Sequence, residues 1–105
     1  NCKINWTTKP NSIINLIRGL NPYPAAWTLL LNNNEELNLK IYSAEFINES
    51  HDFEIGTIIT SKKYIKVAIE KGFISLLDIK LPGKRKMDIK SLLNGYKFSP
   101  DAKVL

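Results

Sequence analysis

A mainly β domain, a small five-stranded barrel with an N-terminal helix and a short C-terminal helix, is predicted by three features of the sequence. Apolar residues recur at every second position in runs of strand length, most plainly at Ile65, Val67 and Ile69, and that alternation belongs to half-buried strands. Short turn clusters separate the runs, among them Asn32-Asn33-Asn34 and Lys71-Gly72, so neighbouring strands pair through tight connections. Helix signals occur near each end, with Ile13, Leu16, Ile17 and Leu20 on one side of a 3.6-residue turn and Asp88 placed to cap a short helix over residues 89–93. Five strands closed into a barrel leave no bare edge and suit an OB-fold-like architecture better than a flat sheet. A β-sandwich would need about seven strands.

Taken in order, Ile4 and Trp6 share one face of a short extended segment. Thr8 is expected to cap a helix reaching about Gly19, with Pro10 in its first turn, where a missing N–H costs nothing. Pro22 and Pro24 forbid its continuation and are expected to send the chain out straight toward Ala25. Residues 25–31 form the first strand, opened by Trp27 as an inward anchor. Residues 37–47 form the second: Leu37, Leu39, Ile41 and Ser43 share a face, then the parity slips, which predicts a bulge or bend near Ser43. Residues 56–60 form the third strand. The fourth, residues 64–70, faces Ile65, Val67 and Ile69 inward and Tyr64, Lys66 and Ala68 outward. A Lys71-Gly72 turn leads to the fifth, residues 73–81. Asn94-Gly95 closes the last helix. The expected division is a linker strand and helix over residues 1–24, the barrel and C-terminal helix over 25–95, and a tail over 96–105.

A chain of 105 residues is one domain, large enough to bury a core without staples. The single cysteine, Cys2, excludes an intramolecular disulfide, and with no Cys/His cluster a zinc site is not indicated; a reducing, cytoplasmic setting is the simplest expectation. No apolar run has the length of a membrane helix. The chain does not begin with Met, and we read it as a fragment of a longer polypeptide.

The net charge of +5 is unevenly spread: residues 1–61 carry four cations and six acids, residues 62–90 nine cations and three acids. Clustered Lys and Arg form the electrostatic footprint of a phosphate-backbone partner, although the same cluster also serves as a solvated face. Lys84, Arg85 and Lys86 stand together after a Pro-Gly turn, where they can meet phosphates without reading sequence. Lys62, Lys63 and Lys66 form a second cluster, with Tyr64 among them as a stacking face. Arg18 lies in the last turn of the first helix, suited either to the helix carbonyls or to a phosphate. Nothing points to catalysis: His51, the only histidine, has no ligand or nucleophile at a usable spacing and is read as a loop residue, and no serine has a G-x-S-x-G setting.

Three motifs carry a family resemblance: I-R-G-L-N-P-Y-P-A-A-W (residues 17–27), V-A-I-E-K-G (67–72), and L-P-G-K-R-K-M followed by S-L-L-N-G (81–87 and 91–95). In this order and spacing the chain resembles the C-terminal domain of methionyl-tRNA formyltransferases over about residues 3–95. It departs in having Ala25-Ala26 where Gly-Ala is usual, and Lys80 where Gln is common. The resemblance implies an OB-like barrel that helps position initiator tRNA through its acceptor arm. Formyl transfer from formyltetrahydrofolate would occur in an N-terminal Rossmann-like domain joined in cis, so that this fragment holds no cofactor and is inert alone. A soluble monomer with no membrane partner is expected. The contacts expected on this reading are Arg18, Lys62, Lys63, Lys66, Lys84, Arg85 and Lys86. The alternative is a structural or interaction domain of a sugar formyltransferase or a formyltetrahydrofolate dehydrogenase. A free-standing cold-shock-like module is less well matched, because the strands lack a dense row of outward aromatics.

Overall fold

The computed structural model describes residues 2–105. Seven strands and two helices follow the order α1 (Pro10–Leu20), β1 (Ala26–Asn32), β2 (Glu35–Ile47), β3 (Ile58–Thr60), β4 (Ile65–Ile69), β5 (Gly72–Lys80), β6 (Met87–Asp88), α2 (Ile89–Gly95) and β7 (Lys103–Val104). The sheet runs β3-β4-β5-β2-β1-β7, with β6 added to β5. Its two ends meet, because Thr57 bridges Lys103, the Val104 amide donates to the Gly56 carbonyl (2.9 Å) and the Ile58 amide to Ala102 (3.2 Å). The predicted barrel is thus present, with two short strands beyond the five expected. Ile13 and Ile17 of α1 join one continuous core with Ile4, Trp6, Leu30, Ile41, Val67, Ile74 and Ile79.

The central pairings follow the alternation in the sequence. Ile65, Val67 and Ile69 are buried, β4 and β5 form a hairpin through the Lys71-Gly72 turn, and the register of β2 against β5 slips on both sides of Ser43. The bulge aims the Ser43 hydroxyl at Asp78 Oδ2, 2.8 Å away. Ala68, expected outward, is buried as well. It stands opposite Phe73, whose outer side is covered by the His51 ring at 4.5 Å. His51 is indeed in a loop, but it fastens that loop to the hairpin. Nε2 lies 2.7 Å from the Ile69 carbonyl and 2.9 Å from that of Gly72, while Nδ1 is 3.0 Å from the Phe53 amide. Carbonyls only accept and the amide only donates, so the Nε2–H tautomer satisfies all three.

Four further expectations are corrected. Lys9, not Thr8, is the N-cap of α1 and has no side-chain cap bond; the Thr8 hydroxyl instead donates to the Asn5 carbonyl (2.7 Å), inside a turn that Asn5 organises. The segment after α1 does not run straight. Both Asn21-Pro22 and Tyr23-Pro24 are cis, and the Ala25 amide returns to the Leu20 carbonyl (2.9 Å). Ala25 has φ 74°, a left-handed conformation in which glycine carries no Cβ penalty, and this accounts for glycine being usual there. Third, β1 has the opposite parity. Ala26, Thr28, Leu30 and Asn32 face inward and Trp27 is only half-buried; Trp6 is the buried tryptophan. Fourth, residues 96–105 are not a free tail, since β7 pairs β1 and both Ala102 and Val104 are buried.

The third and fourth corrections share a cause. Thr28 Oγ1 accepts from Trp6 Nε1 (2.9 Å) and donates to the Leu105 carbonyl (2.7 Å). The Asn32 amide nitrogen donates to Tyr96 Oη and the Lys97 carbonyl, and its oxygen accepts from the Ser99 amide (2.7 Å). Buried polar groups are tolerated when hydrogen-bonded, and here they tie both ends of the chain to β1.

Candidate nucleic-acid interface

The loop carrying Lys84, Arg85 and Lys86 is set by its two ends. Leu81 and Ile89 are buried, and between them the chain turns through Gly83 at φ 74° while the Lys84 amide donates to the Leu81 carbonyl (3.1 Å). An anchored turn with apolar ends leaves its middle outside, and all three cations are exposed. Lys86 Nζ lies 4.8 Å from the centroid of the Tyr42 ring, a cation–π contact from the loop to β2.

Arg18 is exposed on α1 and lines a shallow depression with Ile14, Asn21 and Tyr42. Tyr42 thus lines a depression with Arg18 and carries Lys86 over its ring, which brings residues distant in sequence near one another. The alternation in β2 sets Tyr42 on the face opposite Ile41, but its cationic neighbours depend on the bend in β2 and the return of the chain through β6.

Lys62 and Lys63 are exposed in a separate loop whose Ser61 hydroxyl accepts from the Lys63 and Tyr64 amides at 3.0 and 3.2 Å. Both β4 and β6 pair the same edge of β5, because β2 occupies the other along its length. The two basic loops thus lie on one edge, with β6 between them. Lys66 differs from the other predicted contacts. Its side chain is only 16% exposed, pairs with Glu49 at 3.5 Å and lies 4.2 Å from the Phe73 ring centroid. Its charge is already engaged.

Asp88 caps α2, accepting from the Ser91 amide at 2.7 Å, as the sequence predicts. That bond, then the Ser91 side chain and the charge of Lys90, hold its carboxyl below the usual carboxylate range. A lowered folded-state pKa contributes stability at pH above the unfolded value, about 3.9, and that contribution disappears as pH falls through the folded value. Asp88→Asn should therefore lower the thermal midpoint at pH 7 and leave it nearly unchanged in strong acid. An equal loss at both pH values would contradict this assignment.

Among the described residues no His/Cys/Asp/Glu group is arranged to hold a metal ion, and no helix is long and apolar enough to cross a membrane. Residues 1–97 match the family described as formyl transferase, C-terminal domain. The methionyl-tRNA formyltransferase of Flavobacterium johnsoniae is 56% identical over 104 residues, covering 99% of this chain and 33% of that protein. Those of Flavobacterium psychrophilum and Bacteroides thetaiotaomicron are 46% and 42% identical, covering 99% and 98% of this chain and again 33% of each protein. The chain spans about a third of the length of the curated relatives it matches. The chain belongs to the formyl transferase C-terminal domain family.

Proposed function

We propose that this chain is the tRNA-binding domain of a methionyl-tRNA formyltransferase. It holds the acceptor arm of initiator tRNA while a Rossmann-like catalytic domain, joined at its N-terminal side, transfers the formyl group. Formyltetrahydrofolate, the formyl donor, is a substrate of that catalytic domain, and this chain contributes binding and no chemistry. The observation that supports this reading best is the exposed loop Lys84-Arg85-Lys86, whose Lys86 lies over the Tyr42 ring, with exposed Arg18 lining a depression beside the same tyrosine. None of these cations has an acidic partner among the described residues, where the ion pair present is Lys66 with Glu49. Unpaired surface cations on a rigid barrel are ready to neutralise phosphates without reading bases. Lys62 and Lys63 extend the contact along the same edge of β5, and Lys66 positions the adjacent loop.

Replacing Lys84, Arg85 and Lys86 by alanine tests the reading. Folding should change by no more than about 0.5–1 kcal/mol, the worth of the exposed cation–π contact to Tyr42. The slope of log affinity for tRNA against log salt should become shallower by roughly 0.7–0.9 for each phosphate that is no longer neutralised. A variant with the wild-type slope and affinity would assign the loop to solubility, leaving a packing domain of a small-molecule formyltransferase as the better reading.

A further inference from the structure

Four residues from four segments of the chain stand in one cross-strand row on the outside of the barrel. Lys3 bridges Trp27, Trp27 is opposite Lys40, and Lys40 is opposite Lys80. Residues directly opposite one another in an antiparallel ladder project to the same face. Their sequence neighbours Ala26, Thr28, Leu39, Ile41, Ile79 and Leu81 are all buried, so this row faces outward. Two lysines in direct opposition repel one another and cost stability. Neither Lys40 nor Lys80 has an ionic or hydrogen-bonding side-chain partner among the described residues. Asp78, two positions along β5 from Lys80, is bonded to the Ser43 hydroxyl (2.8 Å).

Lys40 and Lys80 are only partly buried, as is Trp27. Two positions along β2 from Lys40 comes Tyr42 with Lys86 above its ring. The outer face of β1, β2 and β5 therefore sets ammonium groups beside ring faces, with Lys3 Nζ 5.9 Å from the Trp27 ring centroid, and its like-charge pair would be relieved by an anion lying between its members. Aromatic faces take unpaired bases by stacking while interleaved cations track the phosphates.

We propose that the row Trp27, Lys40 and Lys80 is a binding site for an unpaired nucleotide segment, one base stacking on Trp27 and its flanking phosphates held between Lys40 and Lys80. The site rests on the nucleic-acid reading above but is distinct from the basic loop. A duplex contact at residues 84–86 needs no free base, whereas this row does.

The test uses the chain with two probes, a bulk tRNA and a short single-stranded oligoadenylate, followed by tryptophan emission and by affinity as salt is varied. Oligoadenylate should quench emission in the wild type and not in Trp27→Phe. The Lys40→Gln/Lys80→Gln variant should bind oligoadenylate about tenfold more weakly, with a salt slope shallower by roughly 1.4–1.8 and no fall in thermal midpoint. If this double variant binds oligoadenylate like the wild type and Trp27 emission does not respond, the row is not a nucleotide site. In that case, tRNA binding that still weakens when residues 84–86 are replaced leaves the proposed function standing. Failure of the wild type to bind either probe removes both.

Discussion

Truncating Trp6 to alanine is expected to lower the unfolding free energy by about 3–5 kcal/mol, the range for removing a large aromatic side chain from a packed core. Trp6 is 4% exposed, lies in the same core as Ile4, Ile13 and Ile17, and donates its indole N–H to Thr28. The change would leave a cavity and also remove the donor to a buried hydroxyl, which adds a desolvation cost of about 1–3 kcal/mol unless water enters. Trp27→Ala is the control. Its side chain is half-buried on the outside of β1, so its loss should cost well under half as much. Chemical denaturation of the two variants checks the parity of β1 directly: equal midpoints, or a lower one for Trp27→Ala, would contradict it.

Deleting residues 102–105 should be at least as damaging. Those residues bury Ala102 and Val104, close the barrel between β3 and β1, and supply the Leu105 carbonyl that accepts from Thr28 Oγ1. Burying a valine contributes roughly 1.5–3 kcal/mol, and each polar partner left buried and unsatisfied costs about 1–3 kcal/mol. The expected loss is therefore at least about 4 kcal/mol, a large part of the roughly 5–15 kcal/mol typical of a domain. Without β7 the edges of β1 and β3 are also open to pairing with other chains. A truncated chain with a wild-type denaturation midpoint would show that β7 is dispensable.

Why the sequence revealed some of this and not the rest follows from the range of the interactions. The β4–β5 hairpin was legible because Ile65, Val67 and Ile69 alternate beside a glycine turn, both local signals. The bulge at Ser43 was legible because it leaves a break in parity. The parity of β1 was not, since the largest apolar residue, Trp27, points outward, while the inward positions include Thr28 and Asn32. Their burial makes sense only once Trp6, Tyr96, Ser99 and Leu105 surround them. Strand β7 has only two residues, too few for any periodicity, and its pairing partners lie far back in the chain. The basic loop was visible as three adjacent cations. The neighbourhood of Arg18, Tyr42 and Lys86, and the row of Trp27, Lys40 and Lys80, exist only through strand register.

The central claim is that this barrel binds tRNA by neutralising phosphates, and the salt dependence of that binding tests it most directly. With Arg18, Lys84, Arg85 and Lys86 each meeting one phosphate, log affinity plotted against log salt should fall linearly with a slope of about −3 or steeper. Affinity that does not change with salt, or no binding to tRNA at low salt, would contradict the account.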